Sequence, residues 1–210
     1  MSEPGAMAEG LHEVLPGIWH WTVQDDRIGY RSDAYALGGE DGVVLVDPLP
    51  VLPEALAPLG DIAAIVISGG HHQRSAWRHR DLVAAPVWAP HDAHGLEGRP
   101  DESYGHGDRL PGGLAAIHAP GPTEVHYALW RERGRVLLLA DLLIREDADA
   151  PLRFVPAEYQ DDPDSTPESV RRLLDLDPEV LLLQHGAPLP SGGAAALRAA
   201  LERHGGRAST

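Results

Sequence analysis

The stretch IAAIVISGGHHQR, residues 62–74, decides the fold. Ile62, Ile65, Val66 and Ile67 form a short apolar run with Gly60-Asp61 before it and Gly69-Gly70 after it. That is how a short, fully buried strand reads. The run ends in Ser68, and the loop then delivers His71, His72, Gln73 and Arg74 to one place. A helix pattern follows through Leu82-Val83, so any chemistry sits just past the strand's end.

Upstream, EVLPGIWHWTV (13–23) predicts a first strand pair, or one strand bent at Pro16-Gly17, with Trp19 and Trp21 on one face and His20 on the other. The tryptophans suit core or sheet-edge packing, with a ligand platform as the alternative. Residues 32–37 and 43–46 read as strand, turn, strand across the GGEDG turn. The second of these runs into Asp47-Pro48. A short helix broken by Pro53 and Pro58 is expected over 52–59, and PVWAP (86–90) is the next strand. Strand and helix patterns therefore alternate, which is the mark of an α/β architecture.

Downstream, LAAIHA (114–119) is a strand ending in Pro120-Gly121-Pro122-Thr123, and 101–108 reads as a polar connection. Residues 125–130 and 135–140 bracket Glu132-Arg133-Gly134 as a hairpin, and its second strand ends in Asp141. An acidic, proline-rich loop is expected over 147–167. Thr166 is expected as helix N-cap with Pro167 at the first helical position. Residues 180–183 form another buried strand, followed by Gln184-His185-Gly186, and 194–203 reads as a closing helix.

An apolar strand, a hydroxyl residue and a histidine-rich loop opening a helix resemble the signature loop of the metallo-β-lactamase superfamily, written [ST]-H-x-H-x-D-H. On that pattern Ser68 takes the hydroxyl position, Gly69 the first histidine, His71 the second, Gln73 the aspartate and Arg74 the last histidine. The resemblance extends to Asp47, at the aspartate that supports the metal loop from behind, and to Asp141, at the aspartate that bridges two metals. His185 matches the last ligand histidine, in its H-G pair. Pro122 replaces the histidine of a P-G-H-T loop, and proline offers no lone pair. The resemblance implies an αββα sandwich of two mixed sheets with outer helices, made as a single domain over 1–210 with flexible ends at 1–10 and 205–210.

The family's ligand set is mostly broken. His71, Asp141 and His185 survive, but in the family His71 serves one metal, His185 the other, and Asp141 bridges them. A dinuclear hydrolase needs about three protein ligands on each metal to activate the shared water. Metal binding is therefore expected to be absent or limited to a single weakly held divalent ion, zinc or iron. Arginine stays protonated and repels cations while pairing with carboxylates. Two readings of Arg74 stand: a guanidinium beside Asp141 in place of the second metal, or a helix-start residue pointing to solvent. His72 adjoins His71, but neighbouring side chains on an extended loop diverge. His91 and His94 are spaced i, i+3 at an expected helix start, and His118 reads as a satisfied strand histidine.

Two functions follow. One is a catalytically silent relative, with no identified catalytic residue, that holds a small anionic molecule or a protein partner in the old cleft through Arg74, His72 and Gln73. The other is a residual single-metal hydrolase of a small ester, thioester or lactone. No G-x-S-x-G motif offers another nucleophile.

Composition narrows the field. The 210-residue chain is 43% hydrophobic and 23% charged, as expected of one soluble globular domain. A net charge of −15 disfavours a nucleic-acid partner, whose binding needs a basic footprint. No apolar run approaches the roughly 20 residues of a membrane span, and the start lacks the layout of a signal peptide, so the cytoplasm is the expected location. Cysteine, lysine and asparagine are absent, which excludes disulfides, thiolate ligands and Schiff-base chemistry. Oligomeric state is left open by the sequence.

Overall fold

In the computed structural model, which describes residues 3–207, the second strand alternates buried and exposed residues from Trp21 to Asp25, whereas the third and fourth are buried on both faces over most of their length. The first four strands are β1 (His12–Leu15), β2 (Ile18–Asp25), β3 (Tyr30–Gly39) and β4 (Gly42–Val46). They pair as an antiparallel meander. After α1 (Pro53–Leu56) come β5 (Ile62–Val66), α2 (Ala76–Val83), β6 (Val87–Pro90) and β7 (Glu102–Tyr104), and β4 to β7 add in parallel. One mixed seven-stranded sheet results, in the order β1-β2-β3-β4-β5-β6-β7.

The chain divides into two compact units, residues 1–116 and 117–210. In the first, one face of the sheet presents Trp21, Val23, Ala34, Ala36, Leu45, Ile65 and Val87, and Ala76 of α2 packs into the same core, with Trp19 and Trp77 against its edge. Trp19 and Trp21 are therefore packing residues. The carbonyl of Leu49 ties the loop after β4 to this core, accepting from Trp21 Nε1 at 3.1 Å and from His79 Nε2 at 3.0 Å.

The second unit holds β10 (Tyr127–Arg131), β11 (Val136–Leu138), β12 (Leu143–Ile144), β13 (Arg153–Phe154), α3 (Ser165–Leu174), β14 (Val180–Leu182) and α4 (Gly193–Arg207). β10 and β11 form the expected hairpin, and β14 adds to β11 in parallel. With β8 (Arg109–Leu110) and β9 (Leu114–His118), the five-stranded sheet has the order β14-β11-β10-β9-β8. Ala128, Leu137, Leu181 and Leu183 face Val170 and Leu173 of α3 and Leu197 and Ala200 of α4.

Several local expectations shift. α3 begins at Ser165, with Asp164 rather than Thr166 as N-cap. Asp162 Oδ1 accepts the Ser165 N–H at 3.2 Å, whereas the buried Thr166 hydroxyl turns to Gln160 Oε1. The polar stretch after Asp101 contains the short strand β7, and the 147–167 loop contains β13. His91 and His94 follow the end of β6 in a turn, not a helix. The last helix continues to Arg207. Of the ends expected to be flexible, residues 1–2 and 208–210 lie outside the described residues. Among the described residues, no helix is long and apolar enough to cross a membrane.

Candidate functional site

The loop after β5 is shaped by Asp47 at the end of β4. Asp47 adopts φ 45°, a left-handed conformation uncommon for a non-glycine residue, and is fully buried. Its carboxylate accepts the Ser68 N–H at Oδ1 and the Ser68 hydroxyl at Oδ2, both at 2.7 Å. The same hydroxyl lies 2.7 Å from His72 Nδ1. Because the only hydroxyl proton goes to Asp47, His72 must donate from Nδ1, which leaves Nε2 as the ring's lone-pair nitrogen when the imidazole is neutral. Burial pushes the Asp47 carboxyl up, but the adjacent His72 imidazole, the Arg74 charge and the Ser68 N–H outweigh it and hold Asp47 below the usual carboxylate range.

His71 is exposed and His72 buried, yet their rings lie 4.0 Å apart between centroids. The expectation that the two side chains diverge fails because residues Gly70–His72 form a tight 3-10 turn rather than an extended loop. Gly70 is required by close approach, since a Cβ there would meet His94 O at 2.6 Å. The Gln73 amide is engaged at both of its ends. Its Nε2 donates to Gly95 O at 2.9 Å, and its Oε1 accepts from Trp77 Nε1 at 2.8 Å and from the Glu97 N–H at 2.6 Å. The amide clamps the 95–97 loop.

Arg74 is 4% exposed, which overturns the reading in which it points to solvent. It precedes α2 at φ 36°, and its Nη1 donates to Asp33 O at 2.9 Å and to Asp47 O at 3.3 Å. Its charge also helps hold Asp25 down, after burial, which raises that carboxyl, and the stronger bonds from Arg27. A permanent cation thus sits inside the first unit among buried acids.

In the second unit, Asp141 follows Ala140, itself at φ 47°. The Asp141 N–H donates to His126 Nε2 at 3.1 Å, and the buried His126 bonds the Ala119 carbonyl through Nδ1 at 2.8 Å. Nδ1 therefore carries the proton, and the ring fixes the turn that presents Asp141. His185 Nε2 lies 3.3 Å from Asp141 Oδ1. Gly186, at φ 136°, leaves no room for a Cβ, which would lie 2.0 Å from Arg145 O. Pro122 is buried, and its carbonyl accepts from the Asp161 N–H at 3.1 Å. The loop that would have offered a histidine is a structural anchor. His118 is satisfied by Glu124 O at 2.7 Å.

Among the described residues, the histidine and acidic side chains available to a metal are the His71–His72 pair in the first unit and Asp141 in the second. Within the second unit His185 and Asp141, both expected at the site, lie side by side. The residue spacing carried a signal for His72. Ser68 and His72 stand at i, i+4, the reach of a serine across one tight turn. His126 had no such signal, because its partner is a main-chain N–H.

The sequence family described as the metallo-beta-lactamase superfamily matches residues 70–185. The chain belongs to this superfamily. The Probable metallo-hydrolase YflN of Bacillus subtilis (strain 168) is 34% identical over 82 residues, covering 35% of this chain and 31% of that protein. The match thus spans about a third of that relative's length. The DIM-1 metallo-beta-lactamase exposed to ceftazidime superposes with a TM-score of 0.73 at 13% identity, over 95% of this chain and 99% of that one. The metallo-beta-lactamase family protein TTHA1429 from Thermus thermophilus gives a TM-score of 0.69 at 19% identity, over 94% and 81%. The fold is theirs, an α/β sandwich of two mixed sheets flanked by helices.

A two-metal centre does not fit the donors of this superfamily member. Gly69, Arg74 and Pro122 supply no ligand atom, and the Gln73 amide is already engaged. The metal-binding set is incomplete, as expected for loss or reduction of dinuclear hydrolysis.

Proposed function

We propose that this protein has given up dinuclear metal-dependent hydrolysis and uses the remaining histidines to hold a small anionic molecule. The observation that carries this reading is Arg74, a buried guanidinium at the position of the motif's last histidine, fixed by two main-chain carbonyls. A cation that can neither leave nor deprotonate opposes a metal at that position and favours an anion. His71 is the exposed member of the pair and makes the contact, with His72 held behind it by Ser68 and Asp47. Arg74 acts through its field, and Gln73 through the loop it clamps. In this reading the two units work together as one domain, in the cytoplasm and without a nucleic-acid partner.

A second reading has its own support. The Asp47–Ser68–His72 chain leaves Nε2 as the donor nitrogen, which is how a metal-binding histidine is oriented. His71, His72 and Asp141 would then hold a single zinc or iron, which when bound would supply Lewis acidity toward a small ester, thioester or lactone. The residues themselves would hold His72 in one tautomer and Asp141 in one orientation.

Elemental analysis of the protein purified without a histidine tag separates the two. Well under one metal per chain, with no hydrolysis above background, is expected. One firmly held metal supporting ester hydrolysis would favour the second reading, and two tightly bound ions per chain would overturn both.

A further inference from the structure

The second unit contains a solvent-open cavity of about 550 Å³, half of its lining residues exposed, that shares no residue with the histidine site. It lies between the 151–163 loop and the last turns of α4, and its volume is in the range of small-molecule sites. Phe154 and three prolines of the loop form much of the wall. The Phe154 ring is held by the His204 ring, 4.6 Å away between centroids. Arg203 also lines the cavity and is oriented by an Nη2 bond to Leu152 O at 3.1 Å. A guanidinium carries five donors, so this one bond aims the fork without exhausting it. Arg153 lines the cavity as well, ion-paired outside it with Glu146.

Charge identifies the occupant. The chain has 32 acidic residues against 17 basic ones, yet among the described residues no aspartate or glutamate lines this cavity, whereas two arginines and a histidine do. An apolar body against proline and aromatic walls, with one anionic group at an arginine fork, satisfies both features. We propose that this cavity binds a small aryl carboxylate, with the ring against Phe154 and the carboxylate on Arg203.

Phenylbutyrate is the probe, titrated calorimetrically into the full-length protein beside the neutral phenylbutyramide. Saturable one-site binding of the carboxylate, with the amide at least about tenfold weaker, is expected from loss of the charge-assisted pair. Arg203→Gln should weaken phenylbutyrate by a similar factor. Ala157→Trp, at an exposed lining position, should abolish binding by filling the cavity while leaving the urea midpoint unchanged. His71→Ala should leave binding intact, which separates this cavity from the histidine site whatever that site holds. No saturable binding, equal binding of acid and amide, or binding that survives Ala157→Trp would overturn the assignment.

Discussion

Replacing Arg74 by methionine keeps most of the side-chain volume and removes the charge and donors. Two main-chain carbonyls, Asp33 O and Asp47 O, would lose a donor, and Asp47 and Asp25, neither measurably exposed, would lose a cation that helps hold them ionised. Removing one partner from a buried ionic cluster costs about 3–5 kcal/mol, toward which an orphaned buried acceptor contributes about 1–3 kcal/mol. With a urea slope of about 2 kcal/mol/M, a loss near 4 kcal/mol lowers the midpoint by about 2 M. The assay is urea unfolding at neutral pH, followed by tryptophan fluorescence and circular dichroism. The pH dependence adds a second readout. Asp47 titrates below its unfolded value, so its contribution is present above the ordinary carboxylate range and is lost as pH falls through the folded value. In Arg74→Met that dependence should become shallower, because one of the charges that hold the folded value down is gone while His72 and the Ser68 N–H remain. A variant within about 1 kcal/mol of the parent, with an unchanged acid limb, would refute the claim that Arg74 is the internal counter-ion of this loop.

Arg74→His exchanges the fixed cation for a ligand, and elemental analysis should find more zinc per chain than in the parent. Ser68→Ala breaks the link between Asp47 and His72 and should lower stability by about 1–3 kcal/mol in the same urea assay. His79 is buried, with its ordinary value lowered by burial and by Arg78 against the opposing bond to Leu49 O. The unfolded chain therefore takes up a proton first, so stability should be complete above about pH 6.5 and fall on acidification below it. His79→Gln should reduce that slope between pH 7 and 5. Gly186→Ala places a methyl group into Arg145 O at a φ of 136° and should remove most of the soluble yield, with any survivor melting many degrees lower.

The sequence showed the elements wherever apolar period and turn chemistry agreed. The run from Ile62 ends in two glycines, and the hairpin over Glu132-Arg133-Gly134 joins two apolar runs, so both could be read without tertiary context. β7 could not, because of Glu102, Ser103 and Tyr104 only the tyrosine is buried. The division after Ala116 was equally hidden, since it falls inside β9 and carries no linker composition. In the site, the resemblance points to Asp47, His71, Asp141 and His185 because each follows a buried strand. His72 was legible as a loop residue, but the approach of its ring to His71 was not, because that approach depends on the 3-10 turn.

The substitutions in the signature loop form a consistent set. Gly70 removes bulk where the chain passes His94 O, Gln73 converts an acid position into a clamp on the 95–97 loop, and Arg74 converts a ligand position into a fixed positive charge. In a two-metal enzyme the cations organise the loops and supply the field. Here the loop after β5 is organised by hydrogen bonds to Asp47, Gly95 and Glu97, with a buried guanidinium beside them. A protein whose loop geometry rests on its own side chains should keep that geometry in excess chelator. Circular dichroism and the urea midpoint should therefore be unchanged by EDTA, and a fall in the midpoint on chelation would show that a metal, rather than Arg74, holds the loop in place.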